Sequence, residues 1–190
     1  MSRAHPPRLI DVAANRRMRK WRRIELIGRL LWRAASVLFA LSPRPFWSFR
    51  RGLLRLFGAQ IGREVHIYPS VLISIPWNLR IEDQAAVGAH AILYALGPIE
   101  IGKSAVISQY AYLCAGSHDY RRADMPLLKP PIVIGDGVWV CTDAFIGPGV
   151  SVGARAIVAA RAVVVADVPP DMIVGGNPAR TIKPRGEFID

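Results

Sequence analysis

The chain has 190 residues, is 52% hydrophobic and carries a formal net charge of +11. That hydrophobic fraction is sufficient for a packed core and excludes a disordered chain. The positive charge suggests a nucleic acid or an anionic membrane as partner, but no nucleic-acid-reading motif accompanies it, so we expect no nucleic acid binding.

The positive charge is concentrated at the N-terminal end. Residues 1–58 hold fourteen basic residues against two acidic ones, Asp11 and Glu25, whereas the rest of the chain is close to neutral. We therefore divide the chain into a basic arm (residues 1–58), a body (residues 59–185) and a tail (residues 186–190). Within the arm, residues 16–57 predict two helices, because a run of turn-forming residues at 42–45, Ser-Pro-Arg-Pro, interrupts them.

The first predicted helix is amphipathic, with one polar stripe formed by Arg22, Glu25, Arg29, Arg33 and Ser36. A basic amphipathic helix with aromatic residues is typical of a protein that lies on an anionic membrane, so residues 16–57 are predicted to contact one. The alternative is that its apolar faces pack on the body or on a neighbouring subunit. Charged residues interrupt the apolar stretch at 24–41, and no secretory signal is evident. We therefore expect a cytoplasmic protein, peripheral at the inner face of the membrane.

From residue 61 onward, aliphatic residues recur at every sixth position. The longest regular run is Ile134, Val140, Ile146, Val152, Val158 and Val164. A period of six is neither the 3.6 of a helix nor the alternation of a plain strand. A short strand and a corner, repeated three times, give a triangular coil of about 18 residues, and stacked coils bury a continuous apolar prism. The sequence therefore predicts a mainly β body, a parallel β-helix. Upstream the period shifts twice by two residues, which we interpret as bulges or corner insertions.

The six-residue rhythm fails between Leu113 and Ile134, where about 15 residues are inserted. This inserted loop (residues 115–131) contains His118, next to a carboxylate. Long loops in regular solenoids are candidate functional sites. The residues alone leave His118 as either a base or a loop-packing residue. The other histidines are expected to be solvated (His5) or to face outward or cap corners (His66 and His90).

Four segments carry a resemblance to a known family; the first two, as six-residue repeats, indicate only the fold, and the last two are much more specific. These are Ile-Gly-Asp-Gly-Val-Trp-Val at 134–140, Ile-Gly-Pro-Gly-Val-Ser-Val-Gly at 146–153, Ser-His-Asp-Tyr at 117–120 and Gly-Asn-Pro-Ala-Arg at 176–180. They resemble the hexapeptide-repeat acyltransferases and, within these, the colanic-acid-type polysaccharide O-acetyltransferases. The resemblance covers roughly residues 45–185. It implies a left-handed coil, a homotrimer and acetyl-CoA as the acetyl donor.

The resemblance also implies the chemistry, which is transfer of acetyl to a sugar hydroxyl in exopolysaccharide or capsule biosynthesis. His118 is the implied general base for direct attack on acetyl-CoA, with no acyl-enzyme and no metal. Asp119 is expected to orient the imidazole or to contact the acceptor, with simple loop capping as the alternative. The oxyanion would be bound by a backbone N–H near Cys141 or Thr142. Cys114 and Cys141 are expected to be small buried hydrophobes.

Motif matching also implies a groove for CoA between neighbouring subunits. It places Thr142, Ala160 and Arg180 on that groove, with Lys183 as a phosphate partner; solvated tail charges are the alternative for the last two. Val165-Ala166 departs from the Thr-Lys that related enzymes often carry, which removes a polar and a charged contact. The asparagine that helps to place the acceptor in galactoside and maltose enzymes has no match near residues 91–95. A different acceptor is therefore expected, such as a lipid-linked sugar.

Three other functions are compatible with a β-helix of this kind. The first is N-acylation of an amino sugar, or transfer of an acyl group other than acetyl. The second is a binding or structural β-helix without catalysis, against which the presence of His118 in its loop argues. The third, a γ-type carbonic anhydrase, needs three histidines around a metal, and the histidine spacing here does not provide them.

Overall fold

The computed structural model describes residues 9–187 and 189, so His5 lies outside the described residues. Within residues 9–187, three α-helices precede the strands: α1 (Val12–Arg17), α2 (Arg23–Leu41) and α3 (Trp47–Leu56). The break between α2 and α3 falls at the predicted turn residues. α1 begins ahead of the two helices predicted for residues 16–57 and is an additional element.

The strands are short, and most have two or three residues. Up to the inserted loop they are β1 (Gln60–Ile61), β2 (His66–Ile67), β3 (Leu72–Ile73), β4 (Leu79–Ile81), β5 (Ala86–Val87), β6 (Ile92–Tyr94), β7 (Ile99–Ile101), β8 (Val106–Ile107) and β9 (Tyr112–Cys114). A 3-10 turn, Pro76–Asn78, precedes β4. From the loop onward they are β10 (Ser117–His118), β11 (Leu127–Leu128), β12 (Ile132–Ile134), β13 (Trp139–Val140), β14 (Phe145–Ile146), β15 (Ser151–Val152), β16 (Ile157–Val158), β17 (Val163–Val164), β18 (Met172–Gly176) and β19 (Ala179–Pro184).

Apart from β10 and β11, which pair with each other in the inserted loop, the strands form three sheets, which are the three faces of a prism. Face A contains β1-β4-β7-β12-β15, face B contains β2-β5-β8-β13-β16-β18-β19, and face C contains β3-β6-β9-β14-β17. The chain visits A, B and C in turn, and neighbouring strands are parallel except for the terminal β18–β19 hairpin. This arrangement confirms the predicted parallel β-helix.

The sixth-position aliphatic residues fill the interior of the prism. All members of the longest run are at most 2% exposed: Ile134, Val140, Ile146, Val152, Val158 and Val164. Each belongs to a two- or three-residue strand whose side chains alternate between the interior and the solvent. The six-residue period therefore reports one inward residue on each side of a triangular coil.

The extra residues of the early coils lie at one edge of the prism. The coil after β12 returns after 18 residues, since Val133 pairs with Ser151. The first coil needs 20, since Gln60 pairs with Arg80. The surplus lies where the chain passes from face C to face A, at residues 74–78 and again at 95–98. The predicted corner insertions are thus confirmed, and the inserted loop occupies this same C–A edge in the next coil.

The arm docks against the β-helix through one side of its helices. Trp32, Phe39 and Leu54 are almost fully buried, and the indole Nε1 of Trp32 donates to the Ile73 carbonyl at 2.7 Å. This contact matches the alternative in which the arm packs on the body. The opposite side of α2 remains exposed and apolar, with Ile24, Ile27, Leu30, Leu31, Leu38 and Leu41 at the surface. In the described part of the chain, no helix combines the length and apolar character needed to cross a membrane.

Candidate active site

The inserted loop folds back on itself as a small hairpin. β10 and β11 pair antiparallel, with His118 opposite Leu127. Close backbone packing fixes the base of the loop: a Cβ added at Gly97 would lie 2.5 Å from the Lys129 carbonyl oxygen. Gly116, where the loop leaves face C, packs against Leu96 and would bring a Cβ within 2.9 Å of that side chain. His118 therefore lies on a short strand of a loop whose two ends are anchored to the C–A edge.

The imidazole of His118 has a defined partner within this hairpin. Its Nδ1 lies 2.7 Å from the Met125 carbonyl oxygen, and the residue is half-buried. A carbonyl only accepts hydrogen bonds, so Nδ1 must carry a proton in this contact. In a neutral imidazole the other nitrogen, Nε2, is then unprotonated and able to accept a proton. The geometry thus presents the tautomer that a general base needs.

Met125 has an unusual backbone conformation at the point where it meets the histidine. Its φ of 42° lies in the left-handed region, which L-residues with side chains rarely adopt. The surrounding turn over-determines it, because Met125 N–H donates to Arg122 O at 3.0 Å and Asp119 N–H donates to Pro126 O at 3.0 Å. The sequence carried no sign that Met125 would be the partner of His118.

Asp119 is bonded within the loop rather than to the histidine ring. Its Oδ1 accepts from both the backbone N–H and the Nε of Arg121, each at 3.1 Å. The side-chain bond from Arg121, and then the backbone bond, hold the pKa of Asp119 below its ordinary value. These contacts match the loop-capping alternative. A catalytic role for Asp119 stays a prediction.

The residues predicted to bind CoA lie on another edge, where face B passes into face C. Gln109, Thr142 and Ala160 stack on successive coils there, linked by bonds from Asp143 N–H to Gln109 O at 3.1 Å and from Arg161 N–H to Thr142 O at 3.0 Å. The Thr142 hydroxyl donates to the same Gln109 carbonyl at 3.0 Å. This B–C edge therefore forms a continuous ledge of corner residues.

The two C-terminal candidates lie on the last hairpin. Arg180 pairs in register with Gly175, near the turn that continues the B–C edge, and its side chain is exposed. Lys183 pairs with Ile173, further along β19 and away from that turn. Thr142, Ala160 and Arg180 thus share one edge, while Lys183 lies toward the middle of face B.

The backbone bonding narrows the choice of oxyanion donor. The Cys141 N–H donates to the Val158 carbonyl at 2.9 Å as part of the sheet ladder, so it is not available to a substrate. The next amide, that of Thr142, donates to no acceptor within residues 9–187. Of the two amides, Thr142 is therefore the one left without an acceptor in the described residues, and its role as the oxyanion donor stays a prediction.

A single chain does not bring His118 and the CoA candidates together. They lie on the C–A and B–C edges, which are separated by the width of face C. The six residues from Tyr110 to Ala115 cross this face, and five steps at the strand spacing give it a width of about 16 Å. Val165 and Ala166 follow β17 and lie exposed on the C–A side. Each edge therefore carries only part of the predicted site.

Neither cysteine chemistry nor a metal centre is apparent in the part of the chain that the structure describes. Cys114 and Cys141 are free, both are half-buried, and burial raises the pKa of the Cys141 thiol. No group of three His, Cys, Asp or Glu side chains within residues 9–187 could hold a metal ion. His66 stacks on Trp47 with ring centroids 4.7 Å apart, and His90 stacks on Tyr110 at 5.1 Å.

Comparison with known proteins identifies relatives along most of the chain. The Escherichia coli K12 protein WcaF, assigned as a colanic acid biosynthesis acetyltransferase, is 45% identical over 159 residues, which is 84% of this chain and 87% of that protein. A hexapeptide-repeat-containing acetyltransferase of Vibrio cholerae O1 biovar eltor, solved with acetyl coenzyme A, is 30% identical, with a TM-score of 0.77 over 85% of this chain and 89% of that one. A galactoside acetyltransferase solved with coenzyme A shares the fold at 23% identity, with a TM-score of 0.81 over 89% and 86% of the two chains. No family model matches the sequence.

Proposed function

The chain belongs to the hexapeptide-repeat acetyltransferases, and on that premise we propose that it transfers acetyl from acetyl-CoA to a sugar hydroxyl of a polysaccharide precursor. The proposal depends on one observation, the bond between His118 Nδ1 and the Met125 carbonyl, which leaves Nε2 as a base. The relative named for colanic acid biosynthesis supports a polysaccharide as the class of acceptor. Since its acetyl donor is a thioester, the enzyme needs a base, an oxyanion donor and a means of holding both substrates together.

The proposed reaction is a direct transfer to the acceptor, through a tetrahedral intermediate and without an acyl-enzyme. His118 Nε2 takes the proton of the acceptor hydroxyl as its oxygen attacks the thioester carbonyl carbon. The negative charge that develops on the carbonyl oxygen is stabilised by the Thr142 N–H. Collapse of the tetrahedral intermediate breaks the C–S bond, and the thiolate of CoA takes the proton back from His118. The elevated pKa of Cys141 keeps that group as a thiol, which is consistent with a mechanism without an acyl-enzyme.

We propose that three chains assemble and complete one another's sites. The support is geometric, since His118 and the Thr142 ledge lie on different edges of the prism. A cyclic arrangement sets the C–A edge of one protomer beside the B–C edge of the next. In such a trimer each site combines the base of one chain with the CoA ledge of its neighbour, formed by Thr142, Ala160 and Arg180, and with Lys183 on the adjoining face B. The missing Thr-Lys at 165–166 would then remove contacts from the wall that carries His118.

A coupled assay tests the activity itself. We expect release of CoA thiol from acetyl-CoA to depend on an added glycan or lipid-linked sugar acceptor, with product mass increased by one acetyl group. Mass spectrometry of the extracellular polysaccharide, with and without the gene, identifies the sugar and the position. Acetylation at nitrogen would establish the N-acyltransferase alternative, and absence of turnover with every saccharide acceptor would favour the non-catalytic one.

We also propose that the exposed side of α2 contacts an anionic membrane, which would bring the enzyme to a lipid-linked acceptor. Its support is an apolar surface, including Ile27 and Leu31, that the docking of α2 leaves uncovered. Arg23 and Arg33 are exposed on the same helix. Each basic residue near such a surface contributes about 1 kcal/mol, in a salt-dependent way.

Point variants test this proposal better than a truncation, because removing the arm would uncover the core around Trp32 and Phe39. We expect the wild-type protein to sediment with phosphatidylglycerol-containing vesicles but weakly with phosphatidylcholine alone. The double variant I27E/L31E should lose most of that binding, while Val106→Glu, at an exposed apolar position on face B, should keep it. If I27E/L31E instead changed the oligomeric state measured by light scattering and kept vesicle binding, α2 would be a subunit contact and the membrane proposal would be wrong.

A further inference from the structure

The N-terminal segment crosses the inserted loop at the residues that hold His118. Asn15, in α1, donates from its side-chain Nδ2 to the carbonyls of Asp124 at 2.7 Å and Met125 at 2.6 Å. Its partners are about 110 residues away in the sequence, in the turn of the hairpin between β10 and β11. The Met125 carbonyl oxygen is also the hydrogen-bond partner of His118 Nδ1. One carbonyl oxygen therefore joins α1 to the candidate base.

The Met125 carbonyl oxygen can accept the hydrogen bonds from Asn15 and from His118 together. A carbonyl oxygen has two lone pairs, so it can accept from His118 Nδ1 and from Asn15 Nδ2 at the same time. The side-chain oxygen of Asn15, Oδ1, is itself bonded, because Lys20 Nζ donates to it at 2.6 Å. That bond fixes which end of the amide faces the loop, since the ammonium group can only donate. The Asn15 side chain is thus oriented as a donor toward the inserted loop.

The segment that carries Asn15 is itself tied down on both sides. Asp11 N–H donates to Ala123 O at 2.7 Å, and the Asp11 side chain caps α1 by accepting from Ala14 N–H at 2.8 Å. Beyond α1, Lys129 Nζ lies 3.6 Å from the centroid of the Trp21 ring. A six-residue helix has little stability alone, so these contacts hold it in place. The loop and the N-terminal segment therefore order each other.

We propose that Asn15 is a positioning residue for His118. By holding the Met125 carbonyl in its left-handed backbone conformation, it fixes the tautomer and the direction of the imidazole without touching substrate. This inference rests on the proposed function of His118 as a general base. It adds a requirement that the β-helix alone does not supply, namely an intact N-terminal segment bonded to the inserted loop.

The test is an isosteric substitution, Asn15→Asp, which keeps the shape and removes the donor. We expect kcat to fall by about tenfold or more, because a small misplacement of a catalytic group is costly, while KM for acetyl-CoA is unchanged. Arg16→Ala, at the next and exposed position of α1, is the matched control and should keep the wild-type kcat. Equal unfolding midpoints would show that all three proteins are folded.

A spectroscopic measurement separates positioning from mere structure. With ¹⁵N-labelled histidine, the four imidazoles give nitrogen shifts that report their tautomers. We expect His118 in the wild type to carry its proton on Nδ1, and Asn15→Asp to shift it toward a mixture. If the His118 shifts and kcat were both unchanged in Asn15→Asp, the proposal would be overturned.

A double variant distinguishes this inference from the proposed function. In a His118→Ala background, Asn15→Asp should lower the residual rate no further, because its effect passes through the ring. An equal loss in both backgrounds would overturn the positioning role. If His118→Ala kept full activity, the general-base function would fail, whereas the tautomer measurement would still decide whether Asn15 orients the ring.

Discussion

Replacing His118 with alanine is expected to lower kcat by about 10³-fold, since general base catalysis contributes roughly 10²–10⁴. The physical reason is that Nε2 is the free acceptor of a ring whose Nδ1 proton is committed to Met125. The KM for acetyl-CoA should change little, because the proposed CoA residues lie on a different edge of the prism. Steady-state measurement of kcat and KM with a saccharide acceptor provides the check.

Two comparisons make this result specific. His66→Ala removes an exposed histidine that stacks on Trp47, remote from the inserted loop, and should keep kcat within about twofold. His118→Gln keeps a polar side chain that can donate to the Met125 carbonyl but has no basic nitrogen, and it should be as inactive as the alanine variant. Activity of His118→Gln near that of the wild type would contradict the role of His118 as base.

The fold could be predicted from the sequence because a β-helix places its inward-facing residues at a fixed six-residue spacing. Each side of the coil buries one aliphatic residue such as Ile146 or Val152, and this recurs whatever the other positions contain. The inserted loop was equally visible, because it interrupts that period. The shifts of two residues upstream were also readable, since the C–A edge is the corner at which this chain tolerates extra length.

The partners of His118 could not be predicted, because they depend on how the loop folds. Met125 becomes a partner only when the hairpin aligns β10 with β11, and Asn15 only when α1 docks on the loop. Neither contact produces a repeating pattern in the sequence. The carboxylate next to the histidine, Asp119, was the natural sequence-based choice for orienting the ring. In the structure that carboxylate accepts a hydrogen bond from Arg121, which lies only two residues further along the turn.

In the arm, the sequence predicted the helices but not the side that docks on the β-helix. The composition of the arm predicted amphipathic helices, but α2 is apolar over so much of its circumference that the pattern did not reveal which side docks. The buried side is marked by Trp32 and Phe39, and Gly28 permits close approach to the Trp77 ring, 3.0 Å from an added Cβ. The arginines of the arm were all interpreted as exposed surface charges. One of them, Arg50, is completely buried.

Replacing Arg50 with alanine is expected to destabilise the docked arm by about 3 kcal/mol or more. The guanidinium donates to two backbone carbonyls within the α2–α3 turn, Pro43 O at 2.9 Å and Arg44 O at 2.6 Å, and to one on β2, Ile67 O at 2.7 Å. It also donates to the Ser42 hydroxyl at 2.8 Å. Without the arginine, these buried acceptors lose their partner and a cavity is left.

Arg50 has no carboxylate among its hydrogen-bond partners in the described residues, so its charge is stabilised by carbonyl dipoles and by the Trp47 ring, 4.7 Å from the guanidinium carbon. Burial lowers the pKa of the guanidinium, which still remains protonated at neutral pH. Lysine keeps the charge but not the planar fork that reaches several acceptors at once. Arg50→Lys should therefore be intermediate between the wild type and Arg50→Ala.

The measurement combines denaturant unfolding at fixed protein concentration with limited tryptic digestion. Arg50→Ala should be cleaved faster within residues 22–57, because the helices detach from the β-helix more often. Arg33→Ala, an exposed arginine of α2, should change stability by less than about 0.5 kcal/mol. If Arg50→Ala matched Arg33→Ala in both measurements, the arm would not depend on this residue for docking. Faster cleavage with an unchanged unfolding midpoint would place the effect of Arg50 in the attachment of the arm, and the β-helix would then fold independently of it.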